Sequence, residues 1–361
     1  MSAGESSARA VALAPPRAYG PPPAVGVLRA QDEDFVVEED LGFAPAGAGA
    51  HLLLKVRKCG ANTQWVAQQL ARLAGCRTAE VGYAGLKDRH AIAVQWFSVP
   101  RGRDATAWHA VRAPDFEVLE AHPHHRKLPR GALAGNRFRV RIRAAAGAAA
   151  GEGDGARLAA LIGPRLAAIA HGGVPNYFGP QRFGRDGANL VRPAGTSAGR
   201  AAPGRGFLLS AARSVVFNAV LAERVAADSW RTLLPGDLAN LDGRGSIFAV
   251  EEGDDPVALA ARCARLEIHP SGPLWGAGSP ASGGAVLELE SRIGAQYPAE
   301  CAVCADAGMR HERRSLRIAV RELSCEPAAE SVLLAFRLTR GCFATAVLRE
   351  LVSLAEESSA A

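Results

Sequence analysis

GYAGLKDRHAIAVQWF, running from Gly82 to Phe97, joins a small-residue turn to a strand. Tyr83, Ala84 and Gly85 supply the turn, and the charged triplet Lys87-Asp88-Arg89 follows. Beyond it, Ile92, Val94 and Trp96 fall on one face and Ala93, Gln95 and Phe97 on the other, the period-two pattern of a strand. One carboxylate thus stands between two cations at the mouth of a buried-looking strand, and buried charge is costly unless paired or used. The plain reading is a solvated loop with a chance charge triplet. The sharper one is a carboxylate placed for chemistry.

The surroundings extend this stretch into a unit. HLLLKVR, His51 to Arg57, reads as a strand. Asn62 or Thr63 can cap a helix whose apolar face is Val66, Leu70, Leu73 and Ala74, and Gly75 can end it. Glu80 to Tyr83 is a short strand leading into the central motif, which completes the strand–helix–strand unit of a mixed α/β domain.

The chain has 361 residues and is 48% hydrophobic, which at about 150 residues per domain suggests two domains. Aromatics are only 6%, so the cores are built mainly of Leu, Val and Ala. A basic excess of six charges and a pI of about 9.1 suit a polyanionic partner without requiring one. Most of the cations are Arg, whose planar fork matches phosphate oxygens and whose flat face stacks on bases. No secretory signal is visible, and no apolar run reaches the ~18 residues of a membrane span. Seven scattered cysteines argue against a disulfide framework and for a reducing cytoplasm. No Walker loop, Rossmann G-x-G-x-x-G or Ser-His-Asp order stands out, so an energy-consuming enzyme is not expected.

Elsewhere the pattern is plainer. Residues 1–24 are rich in Ala, Pro, Ser and Gly and read as a flexible leader. Residues 122–130, HPHHRKLPR, form a basic cluster that reads as a phosphate-contacting rim or a solvated loop. Its three histidines lack the companion ligands of a metal site. In NRFRVRIR, opened by Asn136, the residues Phe138, Val140 and Ile142 alternate with Arg137, Arg139, Arg141 and Arg143. That is a half-buried strand whose arginine face is either solvated or phosphate-binding. Residues 144–155 and 191–206 read as loops, and Ser210 as the cap of a long helix through Val216, Val220 and Val225. Cys301 and Cys304 offer half of a zinc site, and their ordinary reading is two helical cysteines one turn apart.

GYAGLKDRHAIAVQWF resembles the signature of the TruD family of transfer-RNA pseudouridine synthases. DEDFVVEED (32–40), KLPRGALAGNRF (127–138), GVPNYFGPQRFG (173–184) and GCFATAVLREL (341–351) are similar to further stretches of that family, in the same order. The resemblance implies an α+β (mixed α/β) fold. Its catalytic pseudouridine-synthase domain, with a mixed, largely antiparallel sheet flanked by helices, would comprise 1–172 and 319–361, and an inserted α/β TRUD domain would run over 173–318. It makes Asp88 the catalytic residue and places Phe35, Asn136, Phe138, Phe343 and Lys87 at the substrate. The plain readings of these residues are a core aromatic for Phe35, a turn residue for Asn136 and a staple at the start of a helix for Phe343.

The implied reaction isomerises uridine at position 13 of transfer RNA. It cleaves C1′–N1, turns the base and rejoins it through C5, with no cofactor and no metal. An ionised Asp88 could capture the electron-poor C1′ or help remove a sugar proton, and the sequence leaves both routes open. Lys87 and Arg89 favour ionisation by charge, but adjacent side chains in an extended segment diverge, so at most one touches Asp88 and a partner from elsewhere in the fold is possible. The expected partner is transfer RNA in the cytoplasm, with no DNA, no membrane and no obligate protein partner. The rival readings are the same isomerisation on another structured RNA, and a non-catalytic RNA-binding or remodelling protein.

Overall fold

The computed structural model describes residues 3–102, 105–145, 153–190 and 205–354. Most of the two loops expected over 144–155 and 191–206 lies outside the described residues. The chain divides into two compact units. One takes residues 23–164, 321–341 and the residues from 352 on; the other takes 1–22, 165–320 and 342–351.

The unit containing Asp88 is built on an eleven-stranded sheet. Its main path runs Arg321–Pro327, Ser331–Thr339, Gly135–Ala144, Phe35–Asp40, Ile92–Pro100, His51–Lys58, Phe116–His124 and Arg112–Ala113. Phe35–Asp40 pairs with Ile92–Pro100 in parallel, and the other neighbours on this path are antiparallel. The sheet is therefore mixed and largely antiparallel.

The helix Thr63–Ala74 covers one face of this sheet. Asn62 starts it by accepting the Trp65 N–H at 2.8 Å, a cap worth about 1 kcal/mol. Gly75 ends it in the left-handed region at φ 66°, where any side chain would be strained. Val66 and Leu70 pack there on Leu52, Leu54, Val56, Phe97 and Val99. Leu53 and Trp96, one residue out of phase, join Leu41 and Leu128 in a separate cluster. Both faces of the central strands are buried, as expected from the alternation over Ile92–Phe97.

The arginine face of Gly135–Ala144 resolves to ion pairs with acids on its own unit. Arg137 meets Glu322 at 3.3 Å, Arg141 meets Asp34 at 3.6 Å, and Arg143 meets Asp34 at 2.8 Å. These three arginines, a third to a half exposed, meet carboxylates of their own unit.

The other unit is organised around the helix Arg205–Ala226, with Val215, Phe217 and Val220 buried against Phe178, Phe183, Trp230 and Tyr297. It is the one described helix long and apolar enough to cross a membrane, and over half of its most apolar stretch is core. A four-stranded antiparallel sheet runs in the order Ile247–Ala249, Leu238–Leu241, Ile268–Leu274, Glu312–Ser315.

Three expectations change here. The leader is not loose: Ala3–Leu13 is helical, and Ala8 and Ala12 are buried in the core of this unit, where small side chains allow close packing. This unit extends past the expected 173–318 segment, because residues 1–22 and the helix Ala344–Leu351 cluster with it. Ser210 does not cap the long helix, because it lies within Arg205–Ala226; its hydroxyl instead accepts from Arg182 at 2.7 Å.

Arg224 and Asp237 form a two-pronged pair at 3.0 and 2.9 Å with neither side chain more than 2% exposed. Removing one partner strands the other charge in a site already closed to water. Arg224→Met is expected to destabilise this unit by about 3–5 kcal/mol. Arg224→Met with Asp237→Leu is expected to recover much of that loss, read by thermal and denaturant unfolding.

Candidate active site

The segment from Gly85 to Asp88 leaves the sheet as an irregular loop, and side chains from three elements hold it. Gln95 on the strand Ile92–Pro100 donates from Nε2 to the Gly85 carbonyl at 2.6 Å. Its Oε1 accepts the Thr63 hydroxyl at 3.0 Å, and the Thr63 oxygen in turn accepts the Lys87 N–H at 2.9 Å. The start of one helix and the middle of one strand thereby fix the backbone just before Asp88.

Lys87 turns inward rather than toward Asp88. Its ammonium meets Glu39 at 2.9 Å, with the two side chains only 10% and 0% exposed. Glu39 is also bound by the Trp96 N–H at 2.9 Å. The same ammonium donates to Asn136 Oδ1 at 2.8 Å. A donor-only partner fixes the amide's orientation, so the group left to Asn136 is its NH2.

Asp88 takes its partner from elsewhere in the unit. Its Oδ2 pairs with the Arg29 guanidinium at 2.7 Å, and its Oδ1 accepts the His90 N–H at 3.2 Å. Burial raises the Asp88 pKa. The His90 N–H, the Arg29 guanidinium and the Arg89 N–H together outweigh it and hold the carboxyl below the usual value. Its side chain remains 39% exposed, so this ionised group is reachable from solvent. Arg29 itself has φ 58°, a strained conformation for a non-glycine residue.

Beneath the loop, the buried Lys58 donates to the Asp88 carbonyl at 2.7 Å and to the Ala61 carbonyl at 2.8 Å. Burial pushes its ammonium down to about 8, against the pull of the Asp88 charge. Arg89, the other sequence neighbour, donates to the Gly60 carbonyl at 2.8 Å.

The aromatic residues line up by register. Val37 faces Phe138 and Glu39 faces Asn136 across the antiparallel pair, so Phe35, Glu39, Asn136 and Phe138 share one face. Phe35 meets Phe138 edge-on at 6.0 Å, and Phe138 stacks on Phe336 at 5.3 Å. Arg29 lies 4.3 Å over the Phe35 ring, which joins the Asp88 partner to the aromatic wall. Asp88, Phe35, Phe138, Lys87 and Asn136 are thus brought together.

Phe343 belongs to the other unit, at the start of the helix Ala344–Leu351. It is 39% exposed and tilts against Phe178 at 6.4 Å.

Four residues escaped the reading of the sequence: Arg29, Glu39, Lys58 and Gln95. Arg29 is a lone cation in unremarkable surroundings, and Lys58 is one of three cations near the end of the strand His51–Lys58. Gln95 carried a faint signal, an amide on an otherwise apolar strand face.

Comparison with known proteins bears on this arrangement. A family model described as tRNA pseudouridine synthase D (TruD) matches residues 17–191 and 204–351. The chain belongs to that family. A protein named tRNA pseudouridine synthase D from Nitrosococcus oceani is 45% identical over 94% of each chain. One of the same name from Pseudomonas aeruginosa strain LESB58 is 43% identical over 94% of each. A crystal structure from Methanosarcina mazei, described as TruD, shares the fold with a TM-score of 0.73 at 19% identity, over 96% of this chain and 98% of that one. The mixed α/β architecture is thus the TruD fold.

Neither of the two metal-like patterns gathers ligands. Among the described residues no three His, Cys, Asp or Glu side chains form a metal-binding group. His122 pairs with Glu120 at 2.9 Å, while the His124 ring stacks on Phe43 at 5.6 Å. Cys301 and Cys304 lie in the helix Pro298–Asp306, where burial pushes their thiols up to about 12 and about 11.

The Arg29–Asp88 contact yields a signed prediction. With Arg29 present, the Asp88 carboxyl titrates below its ordinary value, so its charge is lost only as pH falls through that lowered value. Arg29→Gln removes the main opposing charge and leaves the burial. The titration midpoint of Asp88, read from its carboxyl carbon by NMR, is expected to move up, and the acid limb of any Asp88-dependent rate with it.

Proposed function

We propose that this chain is a tRNA pseudouridine synthase that isomerises uridine 13 of transfer RNA, with Asp88 as its catalytic carboxylate. The observation that carries this reading is the Asp88 carboxylate itself. It is kept ionised by Arg29 and two backbone N–H groups, is reachable from solvent, and is joined through Arg29 to the Phe35–Phe138 wall. Membership of the TruD family supplies the substrate class.

In this reading the target uridine leaves its stack and stands against Phe35 and Phe138, a step costing a few kcal/mol that aromatic contact repays. The Asn136 NH2 donates to a uracil carbonyl, because Lys87 holds the amide oxygen. Cleavage of C1′–N1 leaves an electron-poor sugar carbon and a uracil anion. The Asp88 carboxylate either bonds to C1′ or takes a proton from the adjacent sugar carbon. The base turns and C5 bonds to C1′, which breaks the Asp88–C1′ bond in the first route or is accompanied by return of the proton to the sugar carbon in the second; the C5 proton is then lost and N1 gains one, so the atoms balance without a redox partner. Family resemblance also assigns Phe343, on the other unit, to substrate binding. In this scheme the unit that contains Asp88 carries the chemistry, and the unit built on residues 165–320 grips folded RNA by shape and phosphate contacts. A cytoplasmic setting follows from the substrate.

The test is pseudouridine mapping on unmodified transfer-RNA transcripts, with no nucleotide, metal or redox cofactor supplied. Product at position 13 is expected from the wild-type chain, with a loss on the order of 10⁴-fold in Asp88→Asn. Product at other RNA positions alone would favour a different host RNA. RNA binding without product from either protein would overturn the enzymatic reading, and product that survives in Asp88→Asn would move the chemistry to another carboxylate.

A further inference from the structure

The basic cluster over 122–130 has no role in the site above, yet its second half builds one wall of a cavity. The cavity, about 660 Å³, lies in the Asp88 unit between the helix Thr63–Ala74 and residues 127–130. Gln64 and Gln68, four apart on one exposed helix face, line it opposite Tyr83, Lys127 and Arg130. The Arg130 guanidinium lies 3.6 Å over the Tyr83 ring. That ring is itself anchored against Phe97 at 5.8 Å.

This wall is held in place rather than draped. The Gly131 N–H donates to the Ala84 carbonyl at 2.7 Å, and the Leu128 N–H donates to the Ser98 hydroxyl at 2.8 Å. Lys127 Nζ donates to the Ala79 carbonyl. Gly82 permits the approach, since a Cβ there would collide with the Leu128 carbonyl and the Ser98 hydroxyl. Glu80, which feels the Lys127 charge, is already paired with Arg77 at 3.0 Å. Among the described residues neither Lys127 nor Arg130 sits in an ion pair, and neither Gln64 nor Gln68 makes a side-chain hydrogen bond.

The contents of the cavity are a flat cation on an aromatic ring, a second cation and two amides. A guanidinium plane stacks on any base, an ammonium meets a phosphate, and amides bond to base edges. We propose that this cavity is a second nucleotide subsite. It takes an unpaired nucleotide of the RNA other than the one that reacts at Asp88. The base stacks on the Arg130–Tyr83 pair, its edge faces Gln64 and Gln68, and its phosphate meets Lys127. The proposal rests on the reading of the chain as an RNA-modifying enzyme and adds a specificity-bearing contact to it.

The test measures affinity for an unmodified transfer-RNA transcript by filter binding, in Asp88→Asn protein so that turnover does not intervene. Arg130→Ala is expected to weaken binding by roughly tenfold, the loss typical of one stacked base. Arg130→Lys is expected to remain as weak, because an ammonium keeps the charge and loses the stacking plane. In the Asp88-intact chain the same change raises KM with kcat within about twofold. Gln68→Ala, which breaks no hydrogen bond, is expected to weaken binding in a protein whose unfolding temperature is unchanged. Wild-type affinity in Arg130→Ala would overturn the subsite, as would full rescue by Lys, which would mean a phosphate contact alone. Absence of pseudouridine from the wild-type chain would instead overturn the enzymatic reading, while the binding series would still report on the cavity.

Discussion

A lysine and a glutamate shut away from water hold this site in shape. The Lys87–Glu39 pair is nearly solvent-free, and each partner carries a second obligation: Glu39 to the Trp96 N–H, Lys87 to the Asn136 amide. Two charges in that setting repay their desolvation only if the geometry is good and their remaining hydrogen-bonding capacity is used. Both conditions are met here. The pair therefore does more than tie a loop to a strand. It anchors the loop that ends in Asp88, and it decides which end of Asn136 faces outward.

With Lys87 committed inward, Asp88 needs another cation, and Arg29 supplies it. This division of labour follows from the course of the loop, in which the successive side chains of Lys87 and Asp88 take different partners. One lysine orders the loop from below, a second one, Lys58, holds its carbonyl, and an arginine from a neighbouring strand end keeps the carboxylate ionised. Arg29 also lies over Phe35, so the charge state of Asp88 and the aromatic wall share one support.

What the sequence disclosed followed the range of the interactions. The Gly82–Phe97 pattern, the Asn62 cap and the Gly75 stop are local, and each is legible from residue types and spacing. Phe35, Asn136, Phe138 and Lys87 came through family resemblance as candidates; the sheet register explains why the first three meet, and the ion pair with Glu39 brings Lys87 to them. Arg29 and Lys58 were not legible, because a cation shows nothing of its role until the fold places a partner beside it. The arginine face of Gly135–Ala144 could have been a phosphate surface, and only Asp34 and Glu322, far off in sequence, settle three of its arginines into ion pairs. The Ala-rich start resembled a leader because helix propensity was masked by composition. Burial of Ala8 and Ala12 in a core of distant residues is a tertiary fact.

The central claim is that the buried Lys87–Glu39 pair positions the Asp88 carboxylate for the proposed reaction, and a double-mutant cycle tests it most directly. Single-turnover pseudouridine formation would be measured for Lys87→Met, Glu39→Leu and the double variant, with unfolding temperatures alongside. The account predicts that each single change slows the reaction by at least about 100-fold. It predicts that the double variant is no slower than the singles and regains stability, because no lone charge is left buried. Rates near wild type in folded single variants, or losses that simply multiply in the double, would contradict it.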